Sequence, residues 1–213
     1  MRPLDGTVTP RPSEAPSAVC RRFLTHGEHA GKRTLDVGCG QGDLLLELAA
    51  LGADVVGTEI DLALIASCRA RGLDVREGKA EHLPFGDAEL DSIVCSVVIP
   101  YTDERRAIAE WARTLKSGGR VAATYHGSGY GLSYLLRGSG ARRQVYGLRM
   151  LVNTVYYRVS GRRLPGFLGD TICQSSARLR RYYDEVGFVL QEELVAASFL
   201  GRPQFLCHRL VKR

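Results

Sequence analysis

Lysine is scarce in this 213-residue chain: four residues, against 25 arginines. The six cysteines (20, 39, 68, 95, 173 and 207) stand far apart. With no CxxC pair and no neighbouring histidines, they form neither a zinc framework nor any other metal set, and no metal is expected. Scattered thiols of this kind belong in a reducing compartment, buried or half-buried. No apolar run approaches the roughly 20 residues that span a bilayer, so no integral membrane segment is expected. The N-terminal stretch MRPLDGTVTPRPSEAPS holds four prolines and no apolar core, which excludes a signal peptide. Residues 1–16 read as a flexible leader to a single domain over 17–213, expected to be cytoplasmic.

What charge there is lies unevenly. Residues 126–181 hold ten Arg, one Asp, and neither Lys nor Glu, about +9, leaving about −3 for the rest. That asymmetry points to an anionic partner. The chain's general preference for arginine over lysine accounts for much of it.

The hydrophobic pattern alternates short apolar runs with helical periods. A leading helix is predicted over 15–29, then a buried strand at Thr34–Val37 running into Gly38-Cys39-Gly40-Gln41-Gly42. Leu44, Leu45, Leu48 and Leu51 follow at helical spacing. Further strands are predicted at 54–59, 74–77, 90–98 and 120–125, with helices from Asp61 and Asp103, where the aspartates can cap. Five strands alternating with helices specify a doubly wound α/β sheet, Rossmann-like and mostly parallel. A helix at 176–186 and two strand-like segments near 188–194 and 205–211 complete seven strands. Residues 126–175 interrupt the alternation and read as a helical cap inserted after the fifth strand. Within it Leu148, Leu151, Val152, Val155, Tyr156 and Val159 form an apolar stripe at helical spacing. Packing on the protein's own core is the plainer expectation for that stripe; contact with a membrane surface is the alternative.

A strand, a Gly-x-Gly-x-Gly loop and a helix together make a nucleotide-type site. The glycines allow a sharp turn and a close backbone approach, and the helix N-terminus offers free N–H groups. Specificity comes from a second acid. Glu59 lies 21 residues after Gly38, at the end of the second strand, where a carboxylate can accept from both hydroxyls of a ribose.

These residues resemble the class I S-adenosylmethionine-dependent methyltransferases, in particular the small-molecule branch typified by ubiquinone and menaquinone methyltransferases. Leu35-Asp-Val-Gly-Cys-Gly-Gln-Gly42 is similar to the family's first motif. Val55-Val-Gly-Thr-Glu-Ile60 is similar to its second, with Glu where Asp is usual. Gly78–Phe85, Leu90–Ser96 and Leu115–Arg120 continue in order. The resemblance covers residues 33–125 and, more loosely, 176–211. It implies S-adenosylmethionine as cofactor and S-adenosylhomocysteine as product. Asp36 and the backbone of Gly38, Cys39, Gly40 and Gly42 would hold the methionine end, Glu59 the ribose and Ile60 one adenine face. Ala80 and Glu81 would lie along the adenine edge, and Ser96 and Val97 near the sulfonium. Lys79 stands where the family often has an acid accepting from the adenine amino group, so that task falls to Glu81 or a backbone carbonyl.

A sulfonium methyl is already activated, and its in-line transfer needs chiefly an aligned acceptor and exclusion of water. His126, just after the fifth strand, is the candidate general base; Tyr101, just past the fourth, is the candidate for orienting the acceptor. The resulting expectation is transfer to O, N or C of a small molecule, anionic or lipid-like. A nucleic-acid methyltransferase gripping phosphates with the insertion is the alternative. However, the Asn/Asp-Pro-Pro-Tyr of amino-methylating nucleic-acid enzymes is replaced by Ser96-Val97-Val98-Ile99, and Pro100-Tyr101 comes two residues late. A catalytically inactive cofactor-binding module is the third reading.

Overall fold

The computed structural model describes residues 7–11 and 14–213. Its sheet has seven strands: β1 (Arg33–Val37), β2 (Asp54–Glu59), β3 (Val75–Glu77), β4 (Leu90–Ser96), β5 (Leu115–His126), β6 (Phe188–Phe199) and β7 (Arg202–Lys212). Their order is β3-β2-β1-β4-β5-β7-β6. The first five are parallel, while β7 enters antiparallel between β5 and β6. Reversal of strand order beside β1 opens a crevice at the carboxyl ends of β1 and β4, where doubly wound sheets bind their ligands.

The first four strands sit close to where the apolar runs predicted them, because a parallel strand covered on both faces reads as a continuous apolar stretch. Strand β5 begins at Leu115 rather than 120, and β6 and β7 run longer than the expected 188–194 and 205–211 because they pair with each other as a hairpin. Leu35, Val37, Ile93, Cys95, Val121 and Tyr125 are all buried in the main core. Helices α2 (Asp43–Ala50), α3 (Leu62–Ala70) and α4 (Glu104–Thr114) connect the parallel strands. Asp61 caps α3 by accepting from the N–H of Ala63 at 2.8 Å and of Leu64 at 3.3 Å, and Asp103 caps α4 by accepting from Arg106 N–H. The fourth strand ends at Ser96 rather than 98, because Val97 turns to φ +57° and a 3-10 turn takes Ile99–Tyr101.

The leading helix α1 (Pro16–Thr25) stops four residues early, at an extended His26 followed by Gly27 with φ +134°. In the described part of the expected leader Val8 is anchored: it is buried against Cys20, Phe23 and Cys207, and its N–H donates to Glu192 at 3.1 Å, while Thr7, Thr9, Pro10 and Arg11 are exposed. The rest of that expectation, at 1–6 and 12–13, lies outside the described residues. All six cysteines are buried and free.

The insertion folds as two helices, α5 (Ser128–Arg137) and α6 (Ala141–Ser160), before α7 (Ser176–Glu185) resumes the alternation. Two anchors fix the returning chain: Ile172 N–H donates to Pro100 O at 3.1 Å and Gln174 N–H to His126 O at 2.7 Å. Contrary to the plainer expectation, the apolar stripe of α6 does not pack on the core. Leu148, Val152, Val155, Tyr156 and Val159 are exposed, while Arg149 and Asn153 are buried. The inward face is polar because it has partners there: Arg149 pairs with Asp170 at 2.6 Å, and Asn153 donates to Thr171 O at 2.7 Å and accepts from Leu164 N–H at 2.9 Å.

Candidate active site

A cleft of about 560 Å³ opens at the carboxyl edge of β1, β2 and β4. Val37 and Gly38, where β1 enters the glycine loop, line one side of it. Gly38, Gly40 and Gly42 all have positive φ (68°, 55° and 79°), which a side chain disfavours. At Gly38 a Cβ would stand 2.4 Å from Val98 Cγ2, so only glycine lets the loop close under Val98. At Gly40 a Cβ would meet nothing within 4 Å; that open face is where a ligand can approach the backbone. Cys39 contributes backbone only. Its thiol turns towards Gly57 and is pushed up to about 12, by burial first and then by the charges of Asp36, Cys68 and Glu59.

Glu59 closes the other side. Its carboxylate accepts from the N–H of Gly40 at 3.0 Å, of Ile60 at 2.7 Å and of Asp61 at 3.1 Å, so the loop and the end of β2 are tied through one side chain. The extra methylene of Glu over the usual Asp supplies the reach. Ile60 lies at the mouth, strongly exposed for an aliphatic residue. Ala80 and Glu81 line the opposite edge. One Glu81 oxygen is committed to Asp103 N–H at 2.8 Å, leaving the other free to accept.

Asp36 lies beneath the loop, not in the cleft wall. It is 2% exposed, its Oδ1 has no hydrogen-bond partner, and burial raises its pKa to about 8 against the pull of Arg21 and with a further push from Glu59. An orphaned buried carboxyl beside a nest of N–H groups suits a cationic ligand head. Ser96 and Val97 line the cleft where β4 ends. Val97 is a β-branched residue with positive φ, a strained conformation of the kind that gathers at functional sites.

Tyr101 lines the same cleft and hydrogen-bonds Tyr146 of α6, hydroxyl to hydroxyl, at 3.1 Å. Tyr146 leans on Tyr134 with ring centroids 5.7 Å apart, and the Tyr130 hydroxyl donates to that of Tyr134 at 2.9 Å. Sequence reasoning missed Tyr130, Tyr134 and Tyr146; the 130/134 spacing placed two of them on one helical face, but nothing local said which way it turned. His126, the expected base, is not in the cleft wall. It stacks on Tyr130 at 3.7 Å with the planes 6° apart, is nearly buried, and has an unpartnered Nδ1. Burial lowers its pKa to about 4. The side chain on alternate positions of β5 points to the face that α5 covers, which removes it from the cleft.

Residues 35–123 match the family described as a methyltransferase domain. Over 103 residues the chain is 40% identical to the demethylmenaquinone methyltransferase of Thermus thermophilus, covering 44% of this chain and 47% of that one. It is 36% identical over 96 residues to a probable S-adenosylmethionine-dependent methyltransferase of Mycolicibacterium smegmatis, covering 42% and 36%. The matched stretch thus spans less than half the length of these curated relatives. In three dimensions the chain is similar to an S-adenosylmethionine-dependent methyltransferase from Mesorhizobium loti, with TM-score 0.69, 18% identity, and coverage of 93% of this chain and 98% of that one. It is also similar to the magnesium protoporphyrin IX methyltransferase of Synechocystis solved with bound S-adenosylhomocysteine, with TM-score 0.63, 16% identity, and coverage of 93% and 82%. At those identities the likeness is one of fold. The methyltransferase-domain match covers residues 35–123, from β1 into β5, and the glycine cradle, Glu59 and the orphaned Asp36 carboxyl fit S-adenosylmethionine.

Proposed function

We propose that the chain transfers the methyl group of S-adenosylmethionine to an O, N or C atom of a small molecule. The observation that carries this reading is the tyrosine array of α5 and α6 standing directly beside the cofactor cleft. An acceptor entering the cleft beside Tyr101 would meet hydroxyls carried on packed aromatic rings, the kind of lining that orients small molecules. When bound, the cofactor supplies an activated sulfonium methyl. Glu59 would hold the ribose hydroxyls with charge-assisted bonds, the Gly38–Gly42 backbone and Asp36 the methionine end, and Ile60, Ala80 and Glu81 the adenine. Ser96 and Val97 would face the reacting methyl. Tyr101, braced by Tyr146, would orient the acceptor by hydroxyl and ring edge while the cap excludes water. On this reading His126 positions Tyr130 rather than meeting the acceptor.

Methyl-tritiated S-adenosylmethionine incubated with the protein and a lysate, then split into solvent-extractable, nucleic-acid and protein fractions, tests this. Counts in the extract support a small-molecule acceptor. Counts confined to nucleic acid overturn it, as does the absence of transfer into any fraction.

A further inference from the structure

Helix α6 wears its apolar face outwards. Leu148, Val152, Val155 and Val159 are 51, 50, 63 and 85% exposed, in a stripe that starts at Val145 and runs about 20 Å along the helix. The helix cannot roll to hide it without giving up the Arg149–Asp170 pair and both Asn153 hydrogen bonds. Leu136 of α5, 58% exposed, extends the apolar surface. A contiguous patch of this kind on a folded chain marks a contact surface.

Charge says what it contacts. Between Ser128 and Gly169 there are seven arginines and no Asp or Glu. Arg142 and Arg158 flank the stripe on either side of the helix. Arg158 also borders a groove of about 1010 Å³ between α6 and α7, with Arg181 and Arg202; its lining also holds Asp103 and the Arg105–Glu185 pair. None of Arg158, Arg181 and Arg202 has a carboxylate partner among the described residues. The tyrosine rings in that groove are already taken: Arg178 lies over Tyr157 and Arg181 over Tyr182, each 5.4 Å from the centroid. Stacked bases find no free face there, whereas phosphate oxygens find open guanidinium edges. A second copy is a poor occupant, because antiparallel pairing of α6 would set Arg142 against Arg158 with no acid in the segment to neutralise either. An apolar stripe bordered by arginines fits an anionic lipid surface, with the valines in the acyl boundary and the guanidiniums among the headgroup phosphates. No helix among the described residues is long and apolar enough to cross a membrane, so the contact is in-plane.

We propose that α6 docks the protein on an anionic bilayer surface. The inference stands apart from methyl transfer, and its test uses neither cofactor nor acceptor. The full chain is co-sedimented with vesicles of phosphatidylcholine alone or mixed with phosphatidylglycerol. We expect binding to the mixed vesicles, less to the neutral ones, and loss as salt screens the arginines. The double variant Val152→Glu, Val155→Glu alters exposed positions only, so its circular-dichroism melt should match the parent; its vesicle binding should fall about tenfold or more. Arg142→Gln with Arg158→Gln should weaken binding and flatten its salt dependence. No binding to the mixed vesicles at low ionic strength overturns the proposal, as does undiminished binding of the valine variant. A dimer by light scattering that the valine variant splits, without vesicle binding, also overturns it and gives the face to a second copy.

Discussion

Asp36 is held in a state that disfavours the empty protein. Its unfolded pKa is near the ordinary 3.8 and its folded value near 8, so the folded chain carries a proton at pH 7 that the unfolded chain has released. A raised carboxyl contributes stability that is lost as pH rises from about 4 through 8. Asp36→Asn, neutral in both states, is therefore expected to stabilise the cofactor-free protein at pH 7 by at least about 1 kcal/mol and so raise its denaturation midpoint. The same change should weaken S-adenosylmethionine binding and abolish a rise in affinity between pH 6 and 8 that calorimetry should find in the parent, where a cationic ligand head must ionise Asp36. Unchanged pH dependence in the variant would sink that role. Glu59→Ala removes the group that ties Gly40 to the end of β2. It should weaken cofactor binding about tenfold or more, by losing charge-assisted contacts. These two residues were legible because their motif is local: the loop, the strand end and the acid lie within 24 residues of sequence. His126 was not, because strand alternation gives the face of β5 but not what covers it.

The elements carry a different lesson. Helix α6 was plain from its 3.6-residue period, yet periodicity finds a stripe without saying which side of the helix the fold covers. The decision was made by partners 11 to 21 residues away, at Leu164, Asp170 and Thr171. The cap also depends on close backbone contact. At Gly147 a Cβ would lie 2.6 Å from both Gly131 O and Leu135 N, across the α5–α6 contact. Gly147→Ala must push the helices apart, costing about 1–3 kcal/mol locally. Because α5 and α6 hold Tyr130, Tyr134 and Tyr146, we expect KM for the acceptor to rise while calorimetric affinity for the cofactor stays at the parent value. Equal loss of both would mean that the cap and the cofactor cleft form one unit, and that the tyrosine array has no separate task.

At the scale of the whole molecule, buried titrating groups pull in opposite directions with pH. His126 and His208 are both lowered to about 4, chiefly by burial, with Glu193 drawing His208 slightly back. Between pH 4 and 6.5 the unfolded chain binds those two protons and the folded chain does not, so stability rises with pH across that window. Asp36 works the other way over about 4 to 8, taking up one proton on folding. The histidine protons, joined by that of His29, whose pKa burial also lowers, outweigh the one of Asp36 below 6.5; above it the histidines are neutral in both states and Asp36 alone remains. Stability of the cofactor-free protein should therefore peak near pH 6.5 and decline on both sides, by about 1.4 kcal/mol per pH unit for each net proton. Urea midpoints from pH 4 to 8 read this directly. His126→Gln should soften the acid limb, whereas Asp36→Asn should remove the alkaline limb and leave a plateau from 6.5 to 8. An alkaline decline that survives in Asp36→Asn would assign the proton to another group. In the intact site, saturating cofactor should itself flatten the alkaline limb, because the ligand that ionises Asp36 supplies the counter-charge the empty fold lacks.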